Sequence, residues 1–125
     1  MKAVLDAGAF VAIEKRDRKI GAMLRVLQQH RVPLWTSAAV VAQVWRDGRK
    51  QALLAKTLAG VGVRALGGDD DRDAGELLAL AHMDDVIDAH VALGVDDGDH
   101  VLTSDPDDIS RLLAARRIDA TVTRT

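Results

Sequence analysis

Residues 84–108, with the sequence DDVIDAHVALGVDDGDHVLTSDPDD, decide how we interpret this chain. Acidic residues stand at both ends of the stretch, around a short helical pattern and the predicted strand 100–103. Asp105 stands two residues after the end of that strand, and Pro106 suits the first position of the following helix. Asp88 lies inside the predicted helix, although aspartate is a poor helix former. Both aspartates are therefore candidate functional residues.

Outward from this stretch, short apolar strands alternate with amphipathic helices. We predict strands at residues 2–5, 32–35, 61–66, 100–103 and 121–123. We predict helices at residues 9–15, 20–27, 51–58, 74–81, 86–95 and 109–117, with one more between Ser37, its N-cap, and Gly48. Strands separated by helices indicate an α/β fold with a parallel sheet and right-handed crossovers.

Asp6 follows the first predicted strand, as Asp105 follows the fourth, and each is placed to cap the next helix. In doubly wound sheets, ligands bind outside the carboxyl ends of the strands, in the crevice where the strand order reverses. Strand order cannot be read from the sequence, so the adjacency of Asp6 and Asp105 is an expectation that the fold must test.

Composition narrows the class of protein. The 125 residues fit a single domain, and a content of 48% hydrophobic but only 2% aromatic residues predicts a core of Ala, Val, Leu and Ile. The absence of cysteine excludes disulfides, thiolate zinc sites and thiol nucleophiles, and favours a cytoplasmic location. The sequence has no long apolar run, so we predict neither a membrane span nor a signal peptide. A net charge of −2 argues against nucleic-acid binding through a general basic surface.

Asp6, Asp88 and Asp105 would repel one another if they met without a compensating cation. Carboxylate oxygens suit a hard divalent cation, so we predict Mg²⁺, with Mn²⁺ as a second choice. Such a site can hydrolyse phosphodiesters by activating water and stabilising charge on the attacked phosphate.

Four segments resemble the PIN-domain family, in particular VapC-type toxins of type II toxin–antitoxin pairs. They are VLDAGAFVA with Asp6, TSAAVVAQVWR, VIDAHVAL with Asp88, and VLTSDPDDI with Asp105. The resemblance spans nearly the whole chain, and these three aspartates fall on three of the four acidic positions that the family uses for metal. It implies a PIN-like three-layer α/β/α fold with a central parallel sheet of about five strands, in one domain at residues 1–125.

The resemblance also implies an activity and partners. It predicts a Mg²⁺-dependent endoribonuclease toxin, a hydrolase in which Asp6, Asp88 and Asp105 bind the metal and carry catalysis. Its partners would be the RNA substrate, a small cognate antitoxin and a second copy of the chain in a homodimer. The resemblance does not predict the RNA sequence that is cut.

One residue departs from the family pattern. Gln43 stands where the second acidic residue, usually Glu, belongs, and a neutral amide binds Mg²⁺ less strongly than a carboxylate. Asp85 or Asp108 could supply a compensating charge, while Thr103 and Ser104 fall at the edge of the predicted pocket. The alternative hypothesis is a catalytically weakened PIN domain that binds RNA or a protein partner without cutting.

Other residues carry weaker signals. We assign no histidine a catalytic role, and we place Trp35 and Trp45 in the core because they continue apolar patterns. The sequence has no nucleophile elbow and no dinucleotide-binding glycine spacing. A receiver-type signalling domain is a further alternative, but it needs a late lysine, and none follows Lys56.

Overall fold

The computed structural model describes residues 1–125 and contains five strands and seven helices. The strands are β1 (Ala3–Leu5), β2 (Leu34–Ser37), β3 (Val61–Arg64), β4 (His100–Thr103) and β5 (Thr121–Arg124). The helices are α1 (Ala7–Glu14), α2 (Arg18–Gln29), α3 (Ala38–Val44), α4 (Ala52–Leu58), α5 (Asp70–Ala81), α6 (Val86–Leu93) and α7 (Pro106–Ala115). No helix is both long and apolar enough to cross a membrane.

The five strands form one parallel sheet in the order β3-β2-β1-β4-β5. The chain starts in the centre, winds outward to β3 and returns to β4, so the strand order reverses between β1 and β4. Right-handed crossovers place the helices of the two halves on opposite faces. Accordingly, α1 packs against α2, α3 and α4, while α5, α6 and α7 pack against one another. The α/β prediction is confirmed.

Register brings the ends of β1 and β4 together. Leu5 pairs with Leu102, and the backbone N–H of Asp6 donates to the Leu102 carbonyl at 2.9 Å. Asp6, directly after β1, and Asp105, two residues after the end of β4, are therefore brought to the same carboxyl edge of the sheet, at the point where ligands bind in doubly wound folds.

Local capping explains most helix starts. Side chains of Asp6, Asp17, Ser37 and Asp85 each accept a backbone N–H from the first turn of α1, α2, α3 and α6 respectively. The predicted cap by Asp105 is wrong, because its side chain makes no capping hydrogen bond. Asp105 has φ −119° and ψ 60°, outside the extended conformation that aims a capping side chain at the helix.

Strand β2 starts later than predicted because Pro33, which has no N–H, comes before it. Helix α3 is shorter than predicted and ends at Val44. Helix α5 begins earlier, with three aspartates in its first turn, where negative charge suits the helix dipole.

The core contains 23 buried apolar residues and is built as predicted from Ala, Val, Leu and Ile, with Phe10 as its only aromatic member. The prediction that Trp35 and Trp45 are core residues is wrong, since they are 40% and 39% exposed. Trp45 lies just beyond the end of α3, so it does not continue the apolar stripe of that helix. Trp35 of β2 lines a cavity beside α6 and remains partly open to solvent.

Candidate metal centre

Asp6, Asp88 and Asp105 converge at the carboxyl edge of the sheet, as predicted. One carboxylate oxygen from each residue lies within 4.8 Å of those of the other two. Asp6 follows β1, Asp105 follows β4, and Asp88 comes from the first turn of α6. Asp6 and Asp88 are only 3% and 6% exposed, whereas Asp105 is exposed, so the cluster opens to solvent on one side.

Both carboxylate oxygens of Asp6 are held in place. Oδ1 accepts the backbone N–H of Ala7 at 2.7 Å, and Oδ2 accepts the hydroxyl of Thr103 at 2.6 Å. Burial nevertheless raises the pKa of Asp6, because the loss of water outweighs these two hydrogen bonds and the nearby charge of Asp105 adds to the effect. Asp6 is thus fixed in orientation, and its ionised form lacks a positive partner.

The environment of Asp88 strongly disfavours the charged form of its side chain. Burial, together with the negative charges of Asp6 and Asp85, raises its pKa to about 7. The helix start that carries Asp88 is fixed, since Oδ1 of Asp85 accepts its backbone N–H at 3.0 Å. Near neutral pH this carboxyl group therefore exchanges readily between its neutral and ionised forms.

The salt bridges of the chain lie elsewhere, and their acidic partners are Asp70, Asp96 and Asp99. The cluster is an all-oxygen donor set, and burial, with the mutual repulsion of the carboxylates added to it, raises the pKa of Asp6 and of Asp88. This donor set fits a hard divalent cation, which would neutralise the repulsion and bind to carboxylate oxygen.

Thr103 connects two members of the cluster. Its hydroxyl donates to Asp6 and accepts the backbone N–H of Asp105 at 3.0 Å, and the residue is fully buried. Ser104 is exposed and packs against α1, where a Cβ added to Gly8 would lie 2.8 Å from the Ser104 Cβ. The glycine permits this close approach of α1 to the end of β4.

Two of the remaining candidate residues, Asp85 and Asp108, lie close enough to Asp88 to affect its charge. Asp85 caps α6, and Asp108 lies in the first turn of α7; both are exposed, and their charges help to raise the pKa of Asp88. Gln43 is exposed in the last turn of α3. The charge that surrounds Asp88 is thus supplied by Asp85 and Asp108 in addition to the cluster itself.

A chain of polar side chains that the sequence does not indicate passes through His90 of α6. His90 is fully buried in α6, with Nδ1 at 2.5 Å from the Ser37 hydroxyl and Nε2 at 3.0 Å from Oδ2 of Asp70. Arg64 donates two hydrogen bonds to Asp70, at 2.6 and 2.9 Å, and this interaction lowers the Asp70 pKa well below its usual range. The chain ties α6, the helix that carries Asp88, to β2, β3 and α5.

Asp99 lies in the loop before β4, but it is not a solvated residue. It is buried, and its carboxylate accepts the backbone N–H and the ammonium group of Lys2 as well as the backbone N–H of Asp96. Burial acts to raise its pKa, but these hydrogen bonds outweigh it and lower the pKa. Asp99 therefore has a structural role, holding the start of β1 to the loop before β4.

Comparisons with known proteins bear on the fold. No protein-family model matches the chain, and no curated protein matches it. Among solved structures, the chain is similar to one from VapBC2 of Rickettsia felis bound to a DNA fragment from their promoter, with a TM-score of 0.70 and 16% sequence identity. The match covers 100% of this chain and 99% of the other. The chain therefore has the PIN-like α/β/α fold that the resemblance predicts.

Proposed function

We propose that residues 1–125 act as a single PIN-like domain, a Mg²⁺-dependent endoribonuclease that hydrolyses RNA phosphodiester bonds as the toxin of a toxin–antitoxin pair. The observation that carries this proposal is the convergence of three carboxylates within 4.8 Å, two of them buried, without a basic side chain paired to them. Their position at the reversal point of the sheet supports a ligand site rather than a set of helix caps.

Asp6, Asp88 and Asp105 are the residues that would hold Mg²⁺, or Mn²⁺ in its place. When bound, the cation would activate water for attack and stabilise negative charge on the phosphate. Thr103 holds Asp6 in one orientation through the bond to Oδ2. Asp88 must give up its proton to act as a ligand, and its pKa of about 7 makes that loss easy near neutral pH.

The activity is tested with purified protein and single-stranded RNA. Cleavage should require Mg²⁺ or Mn²⁺, stop with EDTA and return when the metal is restored. Asp6→Asn should abolish cleavage, because it removes a ligand charge while keeping the size of the side chain. Asp119→Asn changes an exposed aspartate outside the cluster and is the matched control. Cleavage that survives both EDTA and Asp6→Asn would rule out this mechanism.

The proposal extends to partners. The similar structure is described as VapBC2, which supports a small antitoxin as the partner of this chain, encoded beside it and acting with it in the cytoplasm. We further propose that the chain is a homodimer. A short open reading frame next to the gene, whose product co-purifies with this chain and inhibits cleavage, is the expected result. Sedimentation of the purified chain measures its oligomeric state.

A second candidate function is a weakened domain that binds RNA or a protein without cutting, and the neutral Gln43 favours it. If the missing charge limits metal binding, Gln43→Glu should strengthen Mg²⁺ affinity and increase cleavage. Gln29→Glu adds the same charge at an exposed position in α2 and controls for net charge. An unchanged Mg²⁺ affinity and cleavage rate in Gln43→Glu would argue that the glutamine belongs to a working site.

A further inference from the structure

A cavity of about 380 Å³ lies on the sheet face that carries α6, and none of the three clustered aspartates lines it. Val4 of β1 and Val91 and Gly94 of α6 give it an apolar lining, and Trp35 of β2 forms a wall. Small-molecule sites typically occupy roughly 300–1,000 Å³ and combine an apolar lining with a few polar groups. The cavity is therefore large enough for a nucleobase with part of its sugar.

The ring of Trp35 packs closely against the neighbouring strand β3. A Cβ added to Gly62 in β3 would lie 2.6 Å from the indole ring, so the ring rests directly on the Gly62 backbone. Trp35 is nonetheless 40% exposed. A flat aromatic surface that is backed by protein and open to solvent is the usual platform for stacking a base of single-stranded nucleic acid.

The charged groups of the cavity are already paired. Lys2 Nζ lies 2.7 Å from Asp96 and 2.6 Å from Asp99, and Arg64 holds Asp70 through two hydrogen bonds. The two cations of the lining, Lys2 and Arg64, are thus offset by Asp96, which also lines the cavity, and by carboxylates next to it, so no excess positive charge attracts a phosphate or an acidic peptide. The Asp96 side chain is 76% exposed and can accept a hydrogen bond from an exocyclic amino group. A neutral planar heterocycle fits this environment best.

We propose that this cavity binds a nucleobase of single-stranded RNA, stacked on Trp35, and so selects the sequence around the cut. The inference rests on the proposed function, because it takes RNA as the ligand. Val4, which lines the cavity, precedes Asp6 by two residues, roughly 6.6 Å along a strand. Helix α6, which carries Asp88, also lines the cavity. The cavity is thus within reach of a nucleotide close to the cleaved bond.

Trp35 itself reports on binding, because the chain has only two tryptophans. In a Trp45→Phe variant, with EDTA present to prevent cleavage, single-stranded oligoribonucleotides should quench Trp35 fluorescence in a saturable manner. The probes are homo-octamers of A, C and U and an octamer of mixed sequence that contains G. An abasic octamer of equal charge is the control. Quenching that the abasic octamer reproduces, or no quenching by any octamer, would overturn the proposal.

Variants separate stacking from a general loss of structure. Trp35→Leu should weaken binding of the preferred octamer by about 5- to 100-fold, the range expected for loss of one stacked base. Trp35→Phe should bind this octamer with an affinity between those of Trp35→Leu and the wild type. Trp45→Leu changes an equally exposed tryptophan outside the cavity and should leave affinity unchanged. Gly62→Ala should also weaken binding, because the new Cβ displaces the Trp35 ring. Equal affinity for wild type and Trp35→Leu refutes the assignment.

Two further outcomes have distinct meanings. If Trp35 fluorescence changes with protein concentration rather than with RNA, the cavity is an interface between copies of the chain and the proposal fails. If Trp35 binds bases but the protein cuts no RNA with Mg²⁺, the nucleobase site stands and the proposed activity fails. If the protein cuts RNA and Trp35→Leu alters neither affinity nor sequence preference, the activity stands and the nucleobase site fails.

Discussion

The hydroxyl group of Thr103 donates a 2.6 Å hydrogen bond to Oδ2 of Asp6, across the two strands between which the strand order reverses. The same hydroxyl oxygen accepts the backbone N–H of Asp105 at 3.0 Å. One buried side chain therefore fixes two of the three residues in the candidate metal centre. Groups that orient a metal ligand in this way commonly affect metal affinity almost as much as the ligands do.

Replacing Thr103 with valine should weaken Mn²⁺ binding by about 10-fold or more, because valine keeps the shape and removes the hydroxyl that holds Asp6. The unpaired Asp6 oxygen should also cost about 1–3 kcal/mol of stability. Titration calorimetry measures the affinity, and Thr103→Ser, which keeps the hydroxyl, is the matched variant. A folded Thr103→Val protein with wild-type affinity would contradict this account of Asp6.

Without metal, Asp88 should make the protein less stable as the pH rises. Its pKa is 3.8 when unperturbed and about 7 in the folded chain, so the folded state keeps a proton that the unfolded state releases. Stability from this group is complete below pH 4 and is lost as the pH rises to about 7. Asp88→Asn avoids the loss and should exceed wild type by about 1–3 kcal/mol at pH 8 in EDTA.

Urea denaturation at several pH values tests this prediction. The difference between Asp88→Asn and wild type should shrink toward pH 4, where the carboxyl group is neutral in the folded state and begins to be protonated in the unfolded state as well. The exposed substitution Asp119→Asn should show no comparable pH dependence. A stability difference that is the same at pH 4 and pH 8 would show that ionisation of Asp88 is not its cause.

Mg²⁺ binding should release a proton from Asp88. Because the ligand must be deprotonated, affinity should fall by about 10-fold for each pH unit below 7. Calorimetry at pH 6.5 in two buffers with different ionisation enthalpies should give different apparent binding enthalpies. The difference should vanish in Asp88→Asn. Saturating metal should also raise the midpoint of thermal unfolding, with about 2.7 kcal/mol of stabilisation at 100 times the dissociation constant.

The polar chain through His90 should act as one unit in stability. His90→Phe fills the space but leaves Ser37 and Asp70 without their buried partner, which should cost about 1–3 kcal/mol. Ser37→Ala removes the hydroxyl at the other end of one bond. The double variant should lose less than the sum of the single losses, with a coupling of about 0.5–3 kcal/mol. Strictly additive losses would mean that the short Ser37–His90 contact contributes little.

Local sequence determined the secondary-structure elements and which residues stand at their ends. Apolar segments of a few residues bounded by helix caps placed the strands, and the caps at Asp6 and Ser37 follow from interactions within three residues. The resemblance to PIN domains named Asp6, Asp88 and Asp105, and all three meet in the fold. These predictions succeeded because a strand end and the residue after it are fixed by neighbours along the chain.

Only the tertiary structure decided which distant residues meet. The order β3-β2-β1-β4-β5 puts Asp6 beside Thr103, and packing of α6 against β2 and α5 creates the buried Ser37–His90–Asp70 chain. Trp35 looked like a core residue because its segment is apolar, yet a cavity lies between it and α6, and the residue stays 40% exposed. The hydrophobic pattern shows how apolar a segment is. The burial of a side chain and the pKa of an acidic group depend instead on which other elements pack against it and exclude solvent.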